Sequence, residues 1–117
     1  MYEDIILDHY KNPRNFGTLA KFTSSITVHN PLCGDVITMQ VEFKGKKVNN
    51  VAFSGEGCAI SRASASLLTE FIKNKDISKL RKIGKKDMMN LIGIDISPAR
   101  IKCLLLSLEA VKRIINQ

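Results

Sequence analysis

The stretch Ile37-Thr38-Met39-Gln40-Val41-Glu42-Phe43 alternates apolar and polar side chains at every position. Because successive side chains of a β-strand point to opposite faces of the sheet, this pattern predicts a half-buried strand over residues 36–43. Working outward, Lys44-Gly45-Lys46-Lys47 has the composition of a hairpin connection, and residues 48–54 form the predicted returning strand. Another strand is predicted around residues 24–29. Three sequential antiparallel strands with one polar face need a cover on the other face.

The remaining segments carry helical patterns that can supply this cover. Ser97-Pro98 marks a helix start, since serine is a favoured N-cap and proline suits the first helical position. The predicted helices cover residues 2–10, 59–74, 76–83, 87–92 and 98 to about 115. The apolar stripe predicted for 59–74 comprises Ile60, Ala63, Ser64, Leu67, Leu68 and Phe71. Strands followed by helices predict an α+β fold, a three-stranded antiparallel sheet covered by helices, in a single domain of residues 1–117.

Length and composition restrict the class of protein. At 117 residues with 44% hydrophobic side chains, the chain is long enough to bury a core. No window approaches a membrane span, and the acidic start Met1-Tyr2-Glu3-Asp4 lacks the pattern of a signal peptide. The odd count of three cysteines argues against a disulfide framework. We therefore expect a cytoplasmic protein with reduced thiols and no membrane association.

The net charge of +7 is unevenly distributed along the chain. Residues 1–72 contain 7 basic and 7 acidic side chains, whereas residues 73–117 contain 11 basic and 4 acidic ones. A basic half is typical of proteins that meet nucleic acid, an anionic membrane or an acidic protein, and also of an ordinary solvated helical surface. Nucleic acid is the less favoured partner, because no aromatic residues interleave the lysines.

Three cysteines and one nearby acid are the candidate functional residues. Cys33 and Asp35 share one turn, two residues apart, so that a thiolate and a carboxylate can converge on one ion. Cys58 follows a glycine pair where a helix opens, and the positive end of the helix dipole favours a thiolate there. Cys103 lies near the start of the last helix. Three thiols and one carboxylate have the softness and the count that suit a tetrahedral zinc ion.

Each of these residues also has a plainer interpretation. Cys33 could be an ordinary loop cysteine, Cys58 could close the strand–helix junction, and Cys103 by spacing alone resembles a packed core residue. His29 could reach the site, although an exposed strand-end histidine is the better interpretation. No Cys-x-x-Cys pair is present, which excludes the knuckle type of zinc site. The joint pattern favours a site gathered from three separate segments.

Four motifs resemble those of a known family. They are Asp8-His9-Tyr10-Lys11-Asn12-Pro13-Arg14-Asn15, Asn30-Pro31-Leu32-Cys33-Gly34-Asp35, Gly55-Glu56-Gly57-Cys58-Ala59-Ile60-Ser61 and Pro98-Ala99-Arg100-Ile101-Lys102-Cys103. In this order, and over nearly the whole chain, they are similar to the N-terminal signature and the three cysteine segments of the U-type iron–sulfur cluster assembly proteins. The resemblance implies that Cys33, Asp35, Cys58 and Cys103 are metal ligands.

Two branches of that family differ just before the third cysteine. The ISC-type scaffold has a histidine there, whereas this chain has Lys102, as in the SUF-type U proteins. The resemblance to the SUF type implies zinc as the cofactor and a cysteine desulfurase as the partner that donates sulfur. One feature departs from the SUF type. Only 44 residues separate Cys58 from Cys103, so most of the usual insertion is absent.

The function implied by the resemblance is a zinc-dependent sulfur acceptor with sulfurtransferase-type activity. Cys33 is the predicted catalytic thiol, because its loop is less constrained than the two helix-borne cysteines. Arg100 and Lys102 are predicted to guide an acidic partner surface or to polarise the transferring sulfur. The alternative is a scaffold that assembles a transient [2Fe-2S] cluster and passes it to apo iron–sulfur proteins or downstream assembly factors. A more remote alternative is a structural zinc module that binds nucleic acid or protein.

Overall fold

The structure is a computed structural model that describes residues 2–32 and 34–116. Its elements in chain order are α1 (Tyr2–Lys11), β1 (Ser24–Asn30), β2 (Asp35–Lys44), β3 (Lys47–Glu56), α2 (Ala59–Ile72), α3 (Ile77–Leu80), α4 (Lys85–Ile92) and α5 (Ile101–Ile115). A turn of 3-10 helix, Pro98–Arg100, leads directly into α5. The predicted strands and helices are present, although α3 is shorter than the predicted helix over 76–83.

The sheet has β2 at its centre, paired antiparallel with β1 and with β3. Ile37, Met39 and Val41 are buried, as the alternation of their stretch predicts. Met39 lies opposite Ile26 in β1 and Phe53 in β3, and it is fully buried. The predicted α+β fold, with a three-stranded antiparallel sheet covered by helices, is therefore confirmed.

The helix α5 is the main cover of the sheet. It packs against β1, β2 and α2. Leu104, Ala110 and Val111 have no exposed surface, and Leu106 and Ile114 are nearly as buried. A helix that is apolar on most of its circumference is enclosed by its neighbours rather than laid on a surface. Within the described residues, no helix is long and apolar enough to cross a membrane.

The predicted apolar stripe of α2 is confirmed in part. Ala63, Ser64 and Leu68 are buried, whereas Ile60, Leu67 and Phe71 are half-buried and pack against the core. The buried residues of α2 are mostly small, namely Ser61, Ala63, Ser64, Ala65, Ser66, Leu68, Thr69 and Ile72. The reason is that α2 contacts α1, α4, α5 and β3, and small side chains allow these elements to approach closely. The helix α2 ends at Ile72, two residues before the predicted end at residue 74, because Asn74 adopts a left-handed backbone with φ of 64°.

Two strand pairs bring the ends of the strands to one edge of the fold. Asn30 at the end of β1 lies opposite Asp35 at the start of β2, and Val36 lies opposite Glu56 at the end of β3. The N-cap of α2 is Cys58, two residues beyond Glu56. The end of β1, the start of β2 and the junction between β3 and α2 therefore lie together at this edge.

Candidate metal centre

Asp35, Cys58 and Cys103 converge at this edge. A carboxylate oxygen of Asp35 and the two sulfur atoms all lie within 4.8 Å of one another. Asp35 begins β2, Cys58 is the N-cap of α2, and Cys103 lies in the first turn of α5. The structure thus brings together three of the four residues predicted as ligands. The fourth, Cys33, lies outside the described residues, and its role as ligand and catalytic thiol stays a prediction.

The carboxylate of Asp35 is almost completely buried, with 1% of its surface exposed. Its Oδ1 atom accepts a hydrogen bond from the backbone N–H of Cys58, at 3.1 Å. Its Oδ2 atom is also buried, and no described residue donates a hydrogen bond to it. Buried carboxylate oxygens normally have a partner, so this oxygen is left for a group that the described residues do not supply.

Two glycines permit the close approach of the segments around Asp35. Gly55 has a φ of +129°, and a Cβ atom there would lie 2.0 Å from the carbonyl oxygen of Val36. A Cβ atom on Gly57 would lie 2.2 Å from Ser61 Oγ and 3.0 Å from Asp35 Oδ1. Neither position has room for a side chain. The glycine pair that the sequence shows before Cys58 is therefore part of the site.

Cys58 is half-buried at the N-terminus of α2, and its Sγ atom lies 3.9 Å from Ser61 Oγ. Burial raises the pKa of the Cys58 thiol, and the Asp35 carboxylate acts in the same direction. Hydrogen bonding with the backbone N–H of Ser61, with Cys103 and with the Ser61 side chain outweighs both effects, and the net pKa is lowered. This agrees with the expectation that a helix N-terminus favours the thiolate.

Cys103 has no exposed surface and lies against the side chain of Asn30. The amide Nδ2 atom of Asn30 donates to the Cys103 Sγ atom at 3.9 Å, and Asn30 is itself 4% exposed. Sequence reasoning did not single out Asn30 as a functional residue. The available signal was its place at the start of the motif that contains Cys33 and Asp35.

The predicted auxiliary residues Arg100 and Lys102 are both exposed. Lys102 lines an open groove of about 440 Å³ between α5 and the end of β1, which Asn30 and Leu106 also line. Leu32 borders this groove with 77% of its surface exposed. Arg100 lines a different depression. Of the two predicted residues, Lys102 is the one that shares a groove with Asn30, whose side chain contacts Cys103.

The donor set fits zinc. Zinc binds thiolates at about 2.3 Å and carboxylate oxygens at about 2.0–2.2 Å, and two sulfurs in a tetrahedral site would be about 3.8 Å apart. The three described donors lie within 4.8 Å, so a contraction of about 1 Å would bring them to ligand distance. The buried Oδ2 atom of Asp35 supplies an oxygen that has no other partner in the described part of the chain.

Fold and site together define a small α+β protein with a candidate metal centre of thiols and a carboxylate, and known proteins match the chain. It is 42% identical over 132 residues to the zinc-dependent sulfurtransferase SufU of Bacillus subtilis (strain 168), covering 97% of this chain and 88% of that protein. It is 33% identical over 115 residues to the iron-sulfur cluster assembly scaffold protein IscU 1 of Archaeoglobus fulgidus, covering 98% and 74%. A solved structure of a putative iron-sulfur cluster assembly scaffold protein for the SUF system, from Fervidobacterium islandicum AW-1, matches with a TM-score of 0.85 and 26% identity, covering 96% of this chain and 94% of that one.

The family model of the NifU-like N terminal domain matches residues 1–117, and the chain belongs to this family. The resemblance inferred from the four motifs is confirmed. The alignment with SufU spans 132 positions, more than the 117 residues of this chain, so SufU contains residues that are absent here. This agrees with the expectation that most of an insertion is missing.

Proposed function

We propose that this protein is a zinc-dependent sulfur acceptor that takes persulfide sulfur from a cysteine desulfurase during iron–sulfur cluster assembly. The observation that carries the proposal is the convergence of Asp35, Cys58 and Cys103 within 4.8 Å, with one buried Asp35 oxygen that no residue of 2–32 or 34–116 partners. Similarity to the zinc-dependent sulfurtransferase SufU of Bacillus subtilis supports the same function. Residues 1–117 act as one domain in the cytoplasm, where thiols stay reduced.

The proposed ligands are Cys33, Asp35, Cys58 and Cys103. Bound to them, zinc would keep the thiols deprotonated at neutral pH. Asp35 is held in place by the backbone N–H of Cys58, at 3.1 Å. Cys58 is half-buried whereas Cys103 is fully buried, so an approaching protein meets Cys58 before Cys103.

The proposed transfer is a thiol–persulfide exchange at Cys33. The Cys33 thiolate attacks the outer sulfur of a protonated cysteine persulfide on the donor protein. A new S–S bond forms on Cys33, the S–S bond of the donor breaks, and the donor cysteine leaves as a thiolate. Cys33 then carries the persulfide with its proton. Lys102, exposed at the groove beside the site, and Arg100 stabilise the approach of an acidic donor surface.

The second candidate function is a scaffold that assembles a [2Fe-2S] cluster on the same residues and delivers it to apo iron–sulfur proteins or downstream factors. Similarity to IscU 1 of Archaeoglobus fulgidus favours it. The mixed ligand set favours it too, because a carboxylate is a poor match for an iron–sulfur core and would let the cluster leave. Against it, Lys102 occupies the position of an imidazole donor, and an ammonium group has no free lone pair to offer a metal.

One experiment separates the two functions. The zinc-loaded chain and the iron-loaded chain, both prepared without oxygen, are each added to a cysteine desulfurase, and sulfide release and cluster transfer to an apo-ferredoxin are measured. The sulfur-acceptor function predicts that the zinc form raises desulfurase turnover and that Cys33→Ala abolishes the increase. Efficient transfer of an intact cluster by the iron form, with a zinc form inert toward the desulfurase, would establish the scaffold instead.

A further inference from the structure

The two described cysteines of the site have different neighbours. Cys58 is half-buried, and the partners of its sulfur include Ser61 of its own helical turn, with Oγ 3.9 Å away. Cys103 is fully buried, and its sulfur receives a hydrogen bond from Asn30, which lies 73 residues away in the sequence. The contact between Asn30 and Cys103 is therefore a product of the tertiary fold rather than of local helix geometry.

Asn30 is held in a buried position beside the site, where its amide contacts the sulfur of Cys103. It is the last residue of β1 and lies directly opposite Asp35, so the two side chains share the face of the sheet that α5 covers. Its backbone carbonyl also accepts a hydrogen bond from the N–H of Gly34, at 2.9 Å, which fixes the turn after β1. With 4% of its surface exposed, Asn30 has little access to water, so its amide contact with sulfur is not weakened by competing solvent.

An amide N–H that donates to a thiolate draws electron density from the sulfur. The sulfur then becomes a weaker nucleophile toward electrophiles, and its position relative to other ligands is fixed. Hydrogen bonds of this kind around a metal centre commonly alter affinity or reactivity by 10-fold to 100-fold. We propose that Asn30 is a positioning residue that makes Cys103 the persistent thiolate of the site, so that exchange of ligands and reaction with sulfur occur at the other thiols. The inference rests on the proposed function, since it assumes that these residues bind a metal.

The test compares the native chain with Asn30→Leu, in which a side chain of similar shape lacks the donor. Each protein is loaded with Co²⁺, and the sulfur-to-cobalt charge-transfer band in the near ultraviolet is recorded. The Zn²⁺ forms are treated with iodoacetamide, and mass spectrometry of peptides gives the alkylation rate of each cysteine. In the native chain Cys103 should react last. In Asn30→Leu its rate should rise roughly tenfold, as expected for the loss of one hydrogen bond, and the charge-transfer band should shift.

A matched control is Ser61→Ala, which removes the hydroxyl beside Cys58 and leaves Asn30 untouched. This variant should change the alkylation rate of Cys58 and leave that of Cys103 unchanged. If Asn30→Leu fails to fold, Asn30→Ala removes the same donor without adding an apolar side chain, and urea unfolding identifies the usable variant. A role of Asn30 in packing alone would lower stability in unfolding but would not move the charge-transfer band.

The outcomes separate this inference from the proposed function. If the native chain binds Co²⁺ with a charge-transfer band, and the band and the Cys103 rate are the same in both Asn30 variants, the role of Asn30 is refuted and the metal site stands. If the native chain shows no such band with Co²⁺ and retains no Zn²⁺, the metal site itself is refuted, and the inference about Asn30 falls with it.

Discussion

Gly57 determines how closely the junction between β3 and α2 can approach Asp35. Gly57→Ala would place a Cβ atom 2.2 Å from Ser61 Oγ and 3.0 Å from Asp35 Oδ1, so the junction must shift. We expect a loss of about 1–3 kcal/mol in the free energy of unfolding, as for other overpacked positions, together with weaker zinc binding. Urea unfolding and a competitive zinc titration measure the two effects.

The matched control for this change is Gly84→Ala, where an added Cβ atom would meet no atom within 4 Å. Both glycines lie outside the left-handed region, so backbone strain does not distinguish them. Gly84→Ala should cost little stability and leave zinc affinity unchanged. Equal zinc affinity in the two variants would show that Gly57 has no part in shaping the site.

Asp35 has two separable roles, one for each carboxylate oxygen. Asp35→Asn keeps an oxygen that can accept the N–H of Cys58 but removes the negative charge, whereas Asp35→Ala removes both. We expect both variants to retain zinc through the thiolates and to release it faster to a chromophoric chelator. Asp35→Ala should also lose about 1 kcal/mol of stability, since the buried N–H of Cys58 loses its acceptor. Complete loss of zinc in either variant would mean that Asp35 is more than a weak oxygen ligand.

At the scale of elements, α1 is attached to α2 by a polar contact. The Nδ1 atom of His9 lies 2.7 Å from Ser66 Oγ, and the same hydroxyl oxygen accepts the backbone N–H of Arg14 at 2.8 Å. Ser66 is fully buried, so both groups reach into the interface between α1 and α2. Because Ser66 has no exposed surface, its contact with His9 belongs to the packing of α1 on α2 and is closed to a substrate.

This contact predicts that stability depends on pH. Burial lowers the pKa of His9 below its ordinary value of 6.5, and Arg14 lowers it further, whereas Asp8 and Glu70 oppose the shift. The unfolded chain then binds a proton more readily than the folded one. Neutral His9 contributes its full share to the free energy of unfolding above pH 6.5. This contribution is lost as the pH falls below 6.5 toward the lower pKa that His9 has in the folded chain.

The measurement is the free energy of unfolding between pH 8 and pH 5 for the native chain and for His9→Gln. The difference in free energy of unfolding between the native chain and His9→Gln should shrink as the pH falls. Groups that the two proteins share contribute equally to both and cancel in this difference. His29→Gln, which changes an exposed histidine of β1, is the control and should preserve the native pH dependence. A constant difference between native and His9→Gln proteins across this range would rule out His9 as the titrating group.

At the scale of the whole molecule, lysines lie at different distances from the candidate site. Lys102 precedes Cys103 and lines the groove beside Asn30, whereas Lys79 and Lys82 line a depression with Phe71, near the C-terminal end of α2. Cys58 caps the opposite end of that 14-residue helix, which spans about 20 Å. This exceeds the Debye length of about 8 Å at physiological ionic strength, so the distant lysines are largely screened from the site.

We therefore predict that Lys102→Gln slows association with a desulfurase several-fold at low salt, and that the difference fades as salt is raised. The double variant Lys79→Gln/Lys82→Gln removes more charge from the distant region and should have a smaller effect. Stopped-flow association rates at several salt concentrations measure both. A rate that depends on the distant pair and not on Lys102 would place the docking surface at the other end of α2.

The local pattern of the sequence predicted the elements and the class of fold. The alternation of Ile37 to Phe43 determines the central strand, because a strand has a period of two residues whatever surrounds it. Ser97-Pro98 marked the last helical segment, which begins in the structure with the 3-10 turn Pro98–Arg100. The three cysteines and Asp35 were recognisable as candidate ligands from their residue types and joint pattern, and the family resemblance implied them as one set.

Tertiary packing decided the features that local patterns do not contain. The buried surface of α2 extends beyond the predicted stripe because α1, α4, α5 and β3 all contact this helix, and close approach requires small side chains there. The contact of Asn30 with Cys103 and that of His9 with Ser66 join residues 73 and 57 positions apart. Periodicity and capping preferences describe only residues close together in the sequence. They cannot predict these long-range contacts, which form only when the elements pack. The sequence by itself therefore determined which chemical groups the site can use, and the packing of α5 and α2 on the sheet determined their positions and their hydrogen-bond partners.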